Sequence, residues 1–181
     1  MVRILVVYSS NHGHTRKIAR TITDKLADNG STVELSALGD ALDIELNRFD
    51  GVILAASIHV SSYQSALSDF LIAHQAEINR KKTLFLSISL SAAGHDAEEW
   101  RSLRNIVSDL EIATGWKPTR LEQIAGAYKP SEYDFFRRFV MRRIIAAKDS
   151  EADLDRDKEY TDWKKLDQVV EEWLGELDHQ S

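Results

Sequence analysis

The chain contains no cysteine in 181 residues. That excludes disulfides, thiol nucleophiles and cysteine-held metal clusters. No apolar run approaches the roughly eighteen residues that span a bilayer. No charged leader with an apolar core precedes the first strand pattern, so a cytoplasmic location is expected. Neither G-x-G-x-x-G nor a Gly-Lys-Ser/Thr triplet occurs, which removes the dinucleotide fingerprint and the P-loop. Internal repeats and low-complexity tracts are also missing. Hydrophobic content of 43% and charged content of 29% are those of an ordinary globular protein, and the length fits a single domain over 1–181.

What is present begins at the amino terminus. The apolar run Arg3 to Tyr8 leads into Ser9-Ser10-Asn11-His12-Gly13-His14-Thr15. Ile18, Ala19, Ile22 and Leu26 follow at helical spacing. A strand, a loop rich in hydroxyls and a helix start together form a phosphate cradle. Unpaired amides of the first helical turn point at the anion, the hydroxyls add donors, and Gly13 permits a left-handed turn. The same residues also suit a tight turn with a helix cap and no ligand. The pattern Ser-x-x-Gly-x-Thr, at Ser10, Gly13 and Thr15, resembles the loop with which flavodoxins hold the phosphate of FMN.

Strand and helix patterns then alternate. A helix over 14–28 stops at Asn29-Gly30. Thr32 to Leu35 alternates as an edge strand, Gly51 to Ala56 is a continuous apolar run, as a buried parallel strand requires, and Thr83 to Ile88 is the next strand. Tyr63, Ala66, Leu67, Phe70 and Leu71 repeat at helical spacing. Asp96 is placed to cap a helix carrying Trp100, Leu103, Val107 and Leu110, which Gly115 ends. Residues 120–127 complete five strands, with Thr161 expected to cap the last helix (Leu166, Val169, Val170, Trp173, Leu174, Leu177). The expected fold is a flavodoxin-like doubly wound α/β domain. Its five-stranded parallel sheet has the order 2-1-3-4-5, with an insert at about 128–160 before the last helix.

The net charge of −6 is unevenly spread. Residues 1–127 carry 13 basic and 15 acidic side chains, 128–148 carry six and two, and 149–181 carry four and twelve. The segment from Tyr128 to Lys148 is therefore a basic, aromatic island in an acidic chain. On a helix, Tyr133, Phe136, Phe139, Val140, Ile144 and Ala147 share one broad face, opposite Arg137, Arg138, Arg142 and Lys148. Arg143 falls among the apolar residues and Ile145 among the basic ones. Such a helix can lie in a membrane interface or pack on its own sheet. The acidic remainder argues against nucleic acid.

Four stretches carry a more specific resemblance over nearly the whole chain. They are Tyr8 to Thr15; Ala55-Ala56-Ser57-Ile58-His59-Val60-Ser61-Ser62-Tyr63; Ala125-Gly126-Ala127-Tyr128 with its aromatic-basic continuation; and Tyr160-Thr161-Asp162-Trp163. Together they resemble the menaquinone-dependent protoporphyrinogen oxidases of bacterial haem biosynthesis. The resemblance implies FMN as cofactor, protoporphyrinogen IX as donor, and menaquinone or ubiquinone as acceptor. It also implies peripheral contact with the inner face of the cell membrane through Phe135, Phe136, Arg137, Arg138, Phe139, Arg142 and Arg143. A flavodoxin-type electron carrier and a quinone reductase with another donor are the alternatives. Two departures stand out. Val60-Ser61-Ser62 lacks the glycine expected there, and residues 91–99 are acidic where members tend to be basic.

On this resemblance the phosphate rests on Ser9 to Thr15. The flavin ring lies between Ser57, Ile58, His59 and Tyr63 on one side and Ser89, Leu90, Ser91, Ala92 and Gly94 on the other. His59 is the one candidate for proton transfer; Tyr63 also fits the core. His12 and His14 have the spacing of a metal pair, but no third ligand lies nearby, so no metal is expected.

Overall fold

The structure is a computed structural model that describes residues 1–10, 13–133 and 135–178, the side chains of Phe135, Phe136 and Asp178 aside. Five parallel strands run β1 (Arg3–Ser9), β2 (Thr32–Ala37), β3 (Gly51–Ser57), β4 (Lys82–Ser89) and β5 (Arg120–Ala125). Their order is β2-β1-β3-β4-β5. Helices α1 (His14–Asp28), α2 (Ser65–Ala73), α3 (Gln75–Ile78) and α4 (Ala97–Thr114) connect them.

Alternation along each strand divides the core into two layers. Ile4, Val6, Ile53, Ala55, Leu84, Leu86 and Ile88 face α1 and the last helix, while Leu5, Val7, Val52, Leu54, Ala56 and Phe85 face α2 and α4. Residues covered on both faces of the sheet are mostly apolar, which is why β1 and β3 read as near-continuous runs; β4 also buries Thr83 and Ser87, each hydrogen-bonded. At Gly51 the benzo edge of Trp173 comes so close that a Cβ would sit 2.7 Å from Cη2.

Three sequence expectations need correction. The fifth strand does not reach residue 127: it ends at Ala125, and after Gly126 the chain turns out of the sheet. Ala127–Tyr128 (β6) pairs antiparallel with Lys158–Glu159 (β7), forming a ribbon at the base of the insert. Between them lies α5 (Phe135–Lys148). Second, Thr161 does not cap the last helix, α6 (Trp163–Asp178). Asp162 does, accepting from the Lys165 amide at 2.9 Å. Third, Ile145, placed by periodicity on the basic side of α5, is buried, while Phe139 on the supposed apolar face is 56% exposed. The helix packs by the side that carries Ile145.

Candidate functional site

Strand order reverses at β1, between β2 and β3, and ligands of such sheets sit beyond the strand carboxyl ends at that point. A cavity of about 740 Å³ lies there. It runs from Ser10, His14 and Thr15, past Ser57, Ile58 and His59 and Ser89, Leu90 and Ser91, to the wall formed by α5.

The first turn of α1 forms one end. Gly13 is left-handed (φ 76°), supplies no side-chain cap, and the turn carries no acidic residue. The amides that open the helix are thus left to an anion. His14 is buried and tied to a residue 147 positions away: its Nε2 lies 2.8 Å from Thr161 Oγ1. Thr161 Oγ1 donates to the Ala125 carbonyl at 2.6 Å. Its hydrogen is therefore spent, and the imidazole must donate from Nε2, leaving Nδ1 bare. Burial pulls the His14 pKa down; Glu159 opposes this, and Lys129 and Lys17 reinforce it. The unfolded chain takes a proton near the ordinary value of about 6.5 where the folded chain does not. Stability from the neutral ring is complete above that value and is lost as pH falls toward the lowered one. Chemical denaturation of the ligand-free protein between pH 7.5 and 5 is expected to show this loss, with a flatter profile for His14→Asn.

The second wall follows β3. Ser57 Oγ lies 3.1 Å from His59 Nε2, and Arg137 of α5 donates to His59 Nδ1 at 3.0 Å. The neutral ring then carries its hydrogen on Nε2, toward Ser57. His59 is a strut between this loop and the insert. Beyond it, His59 and Ser62 exchange backbone hydrogen bonds of 2.8 and 3.1 Å around Val60 (φ 45°) and Ser61 (φ 63°). Both are left-handed, the conformation for which the missing glycine is the natural residue. A β-branched side chain held there stores strain of order 1–3 kcal/mol.

Not every expected residue reaches the cavity. Tyr63 does not line it: its hydroxyl lies 2.7 Å from Ser87 Oγ, its ring packs on Phe85, and burial drives its phenol pKa well up. Ser9 is turned toward Gln64 by a short hydrogen bond. Ala92 and Gly94 also lie outside the lining; the Gly94 carbonyl accepts from Trp100 Nε1 at 2.8 Å. Asn11 and His12 lie outside the described residues.

The insert and α4 contribute residues that sequence patterns did not assign to this cavity, Arg137 among them, which was expected at a membrane contact and instead bonds His59. Lys129, Tyr133, Arg137, Val140, Met141, Ile144 and Lys148 line the cavity from one side, and Glu99, Leu103 and Ile106 from another. Lys148 is paired with Glu99, which joins α5 to α4. The charge island was the only advance signal. Of its arginines, Arg138 donates to the Pro130 carbonyl (3.0 and 2.8 Å), Arg142 pairs with Asp155, and Arg143 lies over the Phe139 ring.

The reversed strand order and the anion-ready turn define a flavodoxin-like protein, built to seat a nucleotide phosphate at its switch point. Residues 5–155 match the flavodoxin domain family, and the chain belongs to it. A protein of Escherichia coli K12 named protoporphyrinogen IX dehydrogenase (quinone) is 25% identical over 165 residues, 91% of each chain. One of the same name from Leishmania major is 28% identical, over 89% of this chain and 70% of its own. Flavodoxin 2 of Bacillus cereus superposes with a TM-score of 0.59 at 17% identity, covering 96% of this chain and 99% of that one.

FMN is the cofactor of flavodoxin domains, and the residues present fit it. The cavity lies within the range of roughly 300–1,000 Å³ usual for such ligands. Ser10 Oγ and His14 Nδ1 are buried without a hydrogen-bond partner among the described residues, at the end where the phosphate belongs.

Proposed function

We propose that the protein oxidises protoporphyrinogen IX to protoporphyrin IX and passes the electrons to a membrane quinone, menaquinone or ubiquinone. The observation that carries this reading is that the insert walls one side of the cavity, opposite the loops after β3 and β4. A diffusing electron carrier needs only an exposed ring edge. Here Ile58, Leu103, Ile106, Val140, Met141 and Ile144 offer an apolar enclosure, whose wall also carries Lys148, paired with Glu99, and Arg137, bonded to His59. The names of the Escherichia coli and Leishmania relatives support the same substrate and acceptor class.

When bound, FMN supplies the two-electron chemistry, and three rounds with three quinones account for the six electrons removed from each porphyrinogen. The chain's part is to bind and orient. Ser10, His14 and Thr15 would hold the phosphate, with Gly13 shaping the turn beside them. Ser57 to His59 and Ser89 to Ser91 would border the ring. The apolar wall excludes water from the reacting faces.

Membrane contact belongs to the same proposal. Phe139 is exposed on α5 with Arg143 stacked on it, next to Val140 and Ile144 at the open side of the cavity they line. That patch suits an anionic lipid interface, where quinones dissolve. Among the described residues no helix is long and apolar enough to cross a membrane.

The decisive experiment combines an absorbance spectrum with anaerobic turnover. The purified protein is expected to be yellow and to convert protoporphyrinogen IX with a menaquinone analogue as acceptor. A colourless protein that takes up no FMN removes the redox assignment. FMN binding without porphyrinogen turnover moves the protein to the carrier class, and quinone reduction by another donor alone makes it a quinone reductase.

A further inference from the structure

The base of the insert crosses the phosphate loop. The β6–β7 ribbon carries Lys129 just beyond one strand and Glu159 in the other, so that both flank the first turn of α1. Lys129 Nζ lies 3.9 Å from where a Cβ on Gly13 would stand. It lines the same cavity as Ser10, His14 and Thr15, and its field reaches His14. Glu159 is held from the other side by Lys17 Nζ at 2.5 Å.

This corner has more than a helix terminus to offer an anion. His14 is 6% exposed, and its Nδ1 has no hydrogen-bond partner among the described residues; the Glu159 carboxylate, at 3.7 Å, is beyond hydrogen-bond range. Ser10 Oγ, lining the same cavity, is likewise buried without a partner among the described residues. Two unsatisfied polar atoms, a left-handed glycine and an ammonium group thus meet at one end of a cavity. Each unsatisfied atom costs stability until a ligand supplies its partner. A phosphate bearing one proton donates to Nδ1 and accepts from Ser10 and Lys129; a dianion draws a proton onto the ring instead.

We propose that Lys129 is a ligand of the cofactor phosphate supplied by the insert, which grips it from the side opposite the loop amides. This rests on FMN as cofactor. The Glu132 carboxylate, 3.3 Å from Lys129 Nζ, holds the ammonium in reach of the loop. A consequence is that the insert contributes to nucleotide affinity as well as to the substrate wall. Riboflavin, which lacks the phosphate, draws nothing from Lys129.

The test is the affinity of the apoprotein for FMN and for riboflavin, read by flavin fluorescence quenching, in wild type, Lys129→Gln and Lys129→Arg. For Lys129→Gln the dissociation constant for FMN is expected to rise about tenfold or more, and that for riboflavin to change less than twofold. Lys129→Arg should restore most of the FMN affinity, and Lys129→Gln should flatten its salt dependence. Unchanged FMN affinity in Lys129→Gln overturns the proposal. So does an equal loss for FMN and riboflavin, which makes Lys129 a shaping residue of the cavity. If wild type takes up neither flavin, the cofactor assignment itself fails, a result distinct from both.

Discussion

Trp173→Ala is expected to destabilise the protein by about 3–5 kcal/mol, lowering the unfolding midpoint by roughly 10 °C or more. Trp173 is wholly buried on α6 in the layer formed with Ile4, Ile18, Leu26 and Ile53. Gly51 opens the central strand directly beneath it. A Cβ there would meet Trp173 Cη2 at 2.7 Å, Cζ2 at 2.9 Å and Leu177 Cδ1 at 2.9 Å. Gly51→Ala should therefore cost about 1–3 kcal/mol by overpacking. Two of the three crowding atoms belong to the benzo ring that phenylalanine lacks, and Trp173 Nε1 has no hydrogen-bond partner among the described residues to be lost. In a Trp173→Phe background the penalty of Gly51→Ala should shrink markedly. A double-mutant cycle by chemical denaturation measures this coupling. Strict additivity would mean that the backbone, not the ring, limits position 51.

The second large effect is on turnover. Met141→Glu is expected to lower kcat/KM for protoporphyrinogen IX about ten- to a hundredfold while leaving FMN content unchanged. Met141 shares the cavity wall with Val140 and Ile144, away from the phosphate end. A carboxylate there must stay partly desolvated beside an apolar substrate that itself carries carboxylates, so desolvation and like-charge repulsion act together. Met141→Leu, which keeps volume and polarity, should stay within about twofold. Steady-state kinetics on both variants, with the flavin quantified by its absorbance, decides it. Unchanged kinetics for Met141→Glu would place substrate elsewhere, and loss of flavin would make α5 part of the cofactor pocket alone.

Sequence patterns carried the sheet well because its signals are local. Val52 to Ala56 and Leu84 to Ile88 lie between two helical layers, and double burial favours apolar side chains, Ser87 being admitted because Tyr63 satisfies its hydroxyl. Gly13 was legible as a left-handed position, and Asp96 as a cap, since each acts within one turn. Elsewhere the determinants lie far apart in the chain. Thr161 looks like a cap in isolation, but its hydroxyl is engaged by Ala125 and His14, and the cap passes to Asp162. Periodicity alone could not tell which side of α5 turns inward, because the helix is steered by a ribbon formed between residues 127–128 and 158–159. Lys129, Arg137 and Met141 join the cavity for the same reason: folding back of the insert, not spacing, brings them there. Val60 and Ser61 show the converse, residues whose side chains argue against the backbone they adopt.

The antiparallel pairing of Ala127–Tyr128 with Lys158–Glu159 has one more consequence. It acts as a stem, so residues 129–157 leave the domain and return to it at neighbouring points. The entropy of closing such an appendage is met locally and grows only slowly with its length. A segment held on such a stem can be lengthened or shed while the strand order and register of the parallel sheet stay the same, so specificity can diversify on a constant scaffold.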